Sequence, residues 1–253
     1  MSLSLEGRVA MVTGAGGGIG QAVSSLLAER GADVIVASLH PEKVEETARI
    51  VREKGRKAYP LACDITETAR FVAAVREAAA ELGSIGILVN NAGISGNRLL
   101  IEEIDEAAFD RLFAINAKGA FFAAQAVVPG MRAQRYGKIV NISSIYAMGG
   151  APFMCHYAAS KAALSGLAHS WARELAPHNI MVNAVAPGFV LTNATLGATT
   201  EEARERVKSN TPLGRFGEAE EMARAVCWLA SAEADFVTGQ VLSPNGGLAI
   251  VGY

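Results

Sequence analysis

The sequence predicts one α/β domain of Rossmann type across residues 1–253, a doubly wound sheet of about seven parallel strands with helices on both faces. Three features predict it. Short β-branched runs alternate with longer stretches of helical apolar spacing, the pattern of a parallel sheet with crossover helices. The strand runs are almost continuously apolar, as strands covered on both faces must be. A glycine-rich turn joins the first strand to the first helix, and no Ser/Gly/Pro-rich linker or fixed-period repeat divides the chain.

In chain order, the β-branched run at 8–13 gives the first strand, and the glycine turn hands it to a helix over 19–30. The apolar run inside 33–38 is the second strand, followed by helical spacing over 41–54. A third strand at 57–62 precedes a helix at 67–82, and a fourth at 85–90 ends on an Asn-Asn turn before an alanine-rich helix at 106–128. A fifth strand at 138–143 runs into two serines, then a helix over 157–176, a sixth strand at 181–186, a helix at 218–230 and a last strand at 240–243. The one long irregular stretch, 188–212, reads as a substrate lid carrying Thr192, Asn193, Thr195, Thr199 and Thr200.

Composition narrows the function. With 253 residues, 51% hydrophobic and a net charge of -2, the chain has enough apolar material for a full core and too little charge for disorder. Lys plus Arg (23) balances Asp plus Glu (25), so no basic field points to nucleic acid. Apolar runs such as 34–37 and 180–182 fall far short of a bilayer span, and the opening Met-Ser-Leu-Ser-Leu-Glu lacks the basic and apolar regions of a secretory signal. Cys63, Cys155 and Cys227 are widely spaced, with no CxxC, and read as free thiols of a cytoplasmic protein. The four histidines lack partners at ligand spacing, so no metal is expected; His156 is assigned to surface or lid packing.

Two local patterns carry chemistry. Thr13-Gly14-Ala15-Gly16-Gly17-Gly18-Ile19-Gly20 sits between strand and helix, where bare backbone can approach a pyrophosphate and helix N–H groups can stabilise its charge. No Gly-Lys-Ser/Thr follows, which excludes a Walker loop. Tyr157 and Lys161 are four apart on one helix, so both project from one face about 6 Å apart along the axis. An ammonium beside a phenol lowers its pKa from about 10, making Tyr157 a usable proton donor and acceptor.

The Gly14-x3-Gly18-x-Gly20 spacing resembles the short-chain dehydrogenase/reductase family, and the likeness extends from Gly7 to Gly247. It covers Cys63-Asp64-Ile65, Asn90-Asn91-Ala92-Gly93, Asn116, Ser143-Ser144, Tyr157-x3-Lys161, Pro187-Gly188, Thr238-Gly239-Gln240 and Gly246-Gly247, and among family members it is most similar to 3-oxoacyl-carrier-protein reductases. The resemblance implies an NAD(P)-dependent enzyme acting on a ketone or secondary alcohol. It implies that Ser144 hydrogen-bonds the substrate carbonyl, with Ser143 a structural neighbour. Tyr157 would move the proton, Lys161 would hold the nicotinamide ribose, and Asn116 would hold a water that relays protons to Lys161. Cofactor contacts carried over in the same way are Gly14, Gly16, Gly17, Gly18, Ile19, Gly20, Ser38, Leu39, His40, Asp64, Ile65, Asn91, Ala92, Gly93, Tyr157, Lys161, Pro187, Gly188, Val190 and Thr192.

Ser38 stands where NAD-preferring relatives carry Asp, which removes the barrier to a 2'-phosphate, although no Arg or Lys stands at Gly17 or Leu39 to attract one. NADP(H) is therefore favoured over NAD(H), with dual use or NAD as the alternative. The substrate-facing positions Ile94, Ser95, Ile145, Met148, Phe153, Met154, Phe189, Val190 and Leu196 are apolar, Arg98 excepted, and suit a hydrophobic ketone or a 3-oxoacyl thioester. Of the two basic positions with which carrier-dependent relatives dock their carrier, Arg135 matches one and His178 replaces the other. A non-catalytic, cofactor-binding scaffold is the alternative; it would show by loss of Ser, Tyr or Lys, and all three are present. The resemblance also implies a homotetramer, which suits the alanines from Ala117 to Ala126 and the apolar tail 248–253, expected to pack on its own chain or a neighbour.

Overall fold

A computed structural model describes residues 3–250. Its strands are β1 (Val9–Thr13), β2 (Asp33–Ser38), β3 (Ala58–Ala62), β4 (Ile85–Asn90), β5 (Gly137–Ile142), β6 (Ile180–Val185), β7 (Val190–Leu191), β8 (Gly217–Glu218) and β9 (Val241–Leu242). Its α-helices are α1 (Gly18–Glu29), α2 (Pro41–Glu53), α3 (Thr68–Leu82), α4 (Glu106–Phe113), α5 (Gly119–Gln134), α6 (Tyr146–Gly149), α7 (Cys155–Leu175), α8 (Asn193–Ala198), α9 (Glu201–Asn210) and α10 (Ala219–Ala230). Seven strands form one parallel sheet in the order β3-β2-β1-β4-β5-β6-β9, and β7 pairs with β8 apart from it.

The strand pattern follows from period-two burial on two covered faces. Along β1, Ala10 and Val12 enter one core with α1, α2 and α10, while Val9 and Met11 enter the other with α3, α5 and α7. Strand β2 repeats the division, with Val34 and Val36 on one side and Ile35 and Ala37 on the other. A side chain alternating between two apolar layers leaves no position for a polar residue, which is why the runs are continuous in the sequence.

The sheet is wound outward in two directions from β1 and β4, so the chain leaves these neighbours to opposite sides and opens a crevice beyond their carboxyl ends. Thr13 and Asn91 hold its walls together. Thr13 Oγ1 accepts from the backbone N–H of Asn91 and of Ala92, both at 3.0 Å, and Asn91 Nδ2 donates to Thr13 O (3.1 Å) and Gly14 O (3.0 Å).

Two sequence expectations need correction. The helix predicted at 106–128 runs on to Gln134 and is broken by a π-turn at Ala114–Lys118. The stretch 188–212 is not irregular. It holds β7, α8 capped by Thr192, and α9 capped by Thr200, whose hydroxyls accept from Thr195 and Ala203 N–H at 3.2 Å. The tail, expected to pack on its own chain or a neighbour, is tied to its own chain as far as Ala249, which Asn245 holds through Nδ2 and Oδ1 (2.7 and 3.3 Å), while Ile250 is 90% exposed. The remaining tail residues, 251–253, lie outside the described ones. The stretch Glu106–Gln134 is long and apolar enough to cross a bilayer by length and composition, yet its α5 portion packs on β4, β5 and α3.

Gly20 shows how tightly the first crossover is built, since a Cβ there would stand 2.3 Å from Gly14 O and 2.6 Å from Asn91 Nδ2. Gly17 is open, with φ 169° and nothing within 4 Å. Gly20→Ala is expected to cost about 1–3 kcal/mol in urea unfolding and to abolish dinucleotide binding, whereas Gly17→Ala leaves stability unchanged.

Candidate active site

The crevice collects side chains from β5, α7, the π-turn and the loop after β4. Ser143 ends the fifth strand, and its Oγ donates to Lys161 O (2.8 Å) and pairs with Ser165 Oγ (3.0 Å), fastening α7 to the sheet. This is the structural role expected of it. Ser144, buried, faces the crevice instead; its Oγ accepts from Tyr146 N–H at 3.2 Å, and its hydroxyl stands near enough to Tyr157 to act on that phenol. Lys161 Nζ donates to Ile142 O at 2.8 Å. Gly93 brings the β4 loop against it, since a Cβ there would lie 3.0 Å from Lys161 Nζ and 3.1 Å from Asn116 Oδ1.

Asn116 is wholly buried in the π-turn. Its Oδ1 accepts from Ile94 N–H (2.8 Å), and its Nδ2 donates to Ile94 O and Ser160 Oγ, both at 2.9 Å. Ser160 Oγ in turn donates to Tyr157 O at 2.8 Å. The Asn116 side chain is thus committed to positioning the β4 loop and α7, so a water held by this residue would need its main chain.

The electrostatics differ from the expectation. Burial pushes the Tyr157 phenol above its ordinary pKa, and the nearby Ser144 hydroxyl only partly opposes this. Lys161 itself is lowered from 10.5 to about 8 by desolvation. Near neutral pH the pair is therefore a phenol beside an ammonium, ready to give a proton rather than to take one.

The phosphate-loop residues meet where expected. A Cβ on Gly14 would stand 2.7 Å from Ala92 Cα, one on Gly16 2.9 Å from Ser38 Oγ and 3.0 Å from Lys43 Cβ, and one on Gly18 3.2 Å from Thr192 Cγ2. Bare backbone at these three positions leaves a cradle between loop, second strand and lid, with α1 N–H groups behind it, and this fits the pyrophosphate of a dinucleotide. Gly188 comes so close to Asn245 that a Cβ would lie 2.8 Å from its Cα. Asp64 Oδ1 accepts from Thr66 N–H and Oγ1–H (2.8 and 2.7 Å), fixing the loop after β3 beside Ile65, which packs under Gly119. Asn91 faces the β1 turn, with its side chain and its N–H both bound to β1, and Leu39 and His40 are exposed at the end of β2.

The family model described as Enoyl-(Acyl carrier protein) reductase matches residues 14–249. The 3-oxoacyl-[acyl-carrier-protein] reductase FabG of Thermotoga maritima is 42% identical over 248 residues, covering 98% of this chain and all of that one. The chain belongs to the short-chain dehydrogenase/reductase family. Two solved structures of this family are similar throughout. A 7α-hydroxysteroid dehydrogenase complexed with NADH and 7-oxoglycochenodeoxycholic acid has a TM-score of 0.93 and 34% identity, covering 97% of this chain and 96% of that one. A gluconate 5-dehydrogenase from Burkholderia cenocepacia, in complex with NADP and tartrate, has a TM-score of 0.92 and 36% identity, covering 98% of each chain. The protein is an NAD(P)-dependent short-chain oxidoreductase acting on CH–OH and keto groups of small molecules. Its sheet is the seven-stranded Rossmann type of the short-chain dehydrogenases.

Sequence reasoning missed Tyr146. Its ring meets Tyr157 edge-on at 6.3 Å and Phe189 at 5.9 Å, and Phe189 meets Phe216 at 6.4 Å, so a line of aromatic rings runs from Tyr157 to Phe216. An aromatic two residues beyond Ser144 was the available signal. His156 is also corrected. It is buried, with Nε2 against Gly96, not at the surface. Ile145 and Met154, expected in the substrate lining, are buried as well. A cavity of about 210 Å³ lies at the lid hinge among Phe189, Thr211, Leu213, Phe216, Met222 and Asn245, but none of Ser144, Tyr157 and Lys161 lines it.

Lys161 gives a stability prediction. The unfolded chain binds more protons than the folded one between pH about 8 and 10.5, so folding stability rises with pH across that window. Below pH 8 the desolvated ammonium costs about 3 kcal/mol. Lys161→Met is expected to raise stability at pH 7 by up to that amount and to flatten the rise between pH 8 and 10.5, as measured by urea unfolding.

Proposed function

We propose that the protein reduces a hydrophobic ketone or 3-oxoacyl thioester to the secondary alcohol, with Tyr157 as proton donor. The observation that carries this reading is that the buried Ser144 hydroxyl acts on the Tyr157 phenol one helical turn from the buried Lys161 ammonium, at the mouth of the dinucleotide crevice. In this reading Ser144 hydrogen-bonds the substrate carbonyl and Tyr157 Oη delivers its proton to the carbonyl oxygen. Lys161 holds the nicotinamide ribose and stabilises the phenolate left behind. Asn116 is a positioning residue, fixing the main chain of Ile94 and, through Ser160, that of Tyr157. The nicotinamide supplies the hydride. The chain acts as one catalytic domain with residues 188–212 as its lid, and it works in the cytoplasm, as three free thiols suit. Tyr157→Phe is expected to lower kcat by two or more orders of magnitude with dinucleotide affinity retained, checked by steady-state assay and cofactor titration; near-native turnover would overturn the assignment.

NADP(H) is the preferred cofactor in this reading, supported by the absence of a carboxylate at Ser38 and by Lys43, which borders Gly16 beside it. Gly14 to Gly20 and Thr192 take the pyrophosphate, Ser38, Leu39 and His40 the adenosine ribose, Asp64 and Ile65 the adenine, and Asn91, Ala92, Gly93, Pro187, Gly188 and Val190 the nicotinamide side. Ser38→Asp sets a carboxylate against the 2'-phosphate and is expected to shift the NADPH/NADH ratio of kcat/KM about tenfold or more towards NADH. An unchanged ratio would remove Ser38 from the ribose site.

The protein is further proposed to be a homotetramer. Phe109 and Phe121 are exposed along the α4–α5 face, β9 is a free sheet edge, and Phe236 and Ile250 are 104% and 90% exposed. Apolar groups so placed favour cover by further copies. Light scattering at micromolar concentration should give the mass of four chains, and a single-chain mass with full activity would refute the assembly.

A further inference from the structure

The mouth of the crevice contains a cation that the chemistry described so far does not use. Arg98 lies on the exposed loop after β4. Three cations of the lid region have carboxylate partners: Arg215 grips Glu221 through two contacts of 2.7 Å, Arg204 contacts Glu201 at 3.2 Å, and Lys208 contacts Glu205 at 2.5 Å. Among the described residues, Arg98 has no carboxylate partner. Its guanidinium instead sits over the face of Phe153, 5.5 Å from the ring centroid. That stacking leaves the N–H edge of the fork free for a planar anion.

Phe153 is held for this contact at a conformational cost. Its φ is 66°, in the left-handed region that a bulky side chain rarely occupies, and its carbonyl accepts from Leu99 N–H at 2.9 Å. The loop carrying Arg98 and the loop before α7 are thus pinned together by one backbone bond and one ring contact. Strain of this kind persists only where surrounding structure fixes it, and it clusters at ligand sites. Arg98 also stands near enough to Tyr146 for its charge to act on that phenol, pulling its pKa down against the rise that burial causes. Tyr146 in turn touches Tyr157 edge-on. The order Arg98, Tyr146, Tyr157 therefore runs from the solvent edge of the crevice to the proton donor.

We propose that Arg98 is a substrate-anchoring residue, binding a carboxylate or phosphate borne by the ketone while Tyr146 walls the intervening chain and the carbonyl meets Ser144 and Tyr157. The proposal rests on the ketoreductase reading above and narrows its substrate to an anionic oxo compound with an apolar spacer. A guanidinium fork recognises either anion, and the binding energy so gained orients the carbonyl at the reacting end.

The test uses the full-length protein with NADPH and with NADH. Three matched series are assayed: oxo acids with one to five methylenes between carbonyl and carboxylate, their neutral primary amides, and oxoalkyl phosphates of the same lengths. The readout is the ratio of kcat/KM for anion over amide, which a general loss of enzyme does not move. Wild type should favour one anionic series at one spacer length by tenfold or more. Arg98→Gln should remove at least tenfold of that preference, chiefly through KM, and Arg98→Lys should restore part of it. The series that responds tells carboxylate from phosphate. Equal ratios in wild type and Arg98→Gln, with ketones still reduced, would overturn the anchor and leave the ketoreductase reading standing. Failure of wild type to reduce any member of any series would overturn the ketoreductase reading and the anchor with it.

Discussion

Everything at this site depends on how closely β1 and β4 approach at their carboxyl ends. The Thr13 hydroxyl and the Asn91 amide replace the ladder bonds that stop there, and the backbone of Gly14 comes against Ala92 where no side chain fits. Polar groups at the end of a buried parallel sheet must be satisfied locally, and here that requirement also fixes the separation of the crevice walls. The phosphate loop hangs from one wall. The loop bearing Gly93, Ile94 and Arg98 hangs from the other, and α7 is fastened across the gap by Ser143.

A second constraint is the water excluded around Lys161. Buried without a carboxylate, its ammonium is held by Ile142 O and is destabilised relative to water. The same burial raises the Tyr157 phenol. The two shifts have one cause and act on the two groups in opposite senses of charge: each favours its neutral form. A site so arranged trades fold stability for two buried groups with perturbed proton affinity.

Much of this was legible in the residues themselves. The strands at 33–38 and 85–90 coincide with β2 and β4, because apolar alternation between two covered faces and flanking Gly or Asn set their limits. Ser144, Tyr157, Lys161 and Asn116, named from the family resemblance, stand around one crevice. The helices within 188–212 were not legible, because α8 has only six residues and α9 is polar, and both depend on the caps Thr192 and Thr200. Asn116 was found, but its π-turn was not, since that turn has no compositional mark. A position one residue along the helix from Tyr157 points to surface or lid packing for His156, and it is instead the loop at Gly96 that covers that face.

The π-turn at Ala114–Lys118 amounts to one residue more than a regular helix would hold, and it turns the α5 face by about 100° relative to that of α4. One long helix thereby serves two clients. Its first turns pack Leu112 near Gly96, and its later turns lay Ala123, Ala124 and Val127 on the sheet. Deleting a single residue from this segment would let the helix become regular, a local gain in hydrogen-bond geometry. It would also swing the Asn116 carboxamide away from Ile94 and Ser160. In the descent of such a chain, a one-codon loss here would be a silent-looking change that leaves a well-formed helix and a dismantled site.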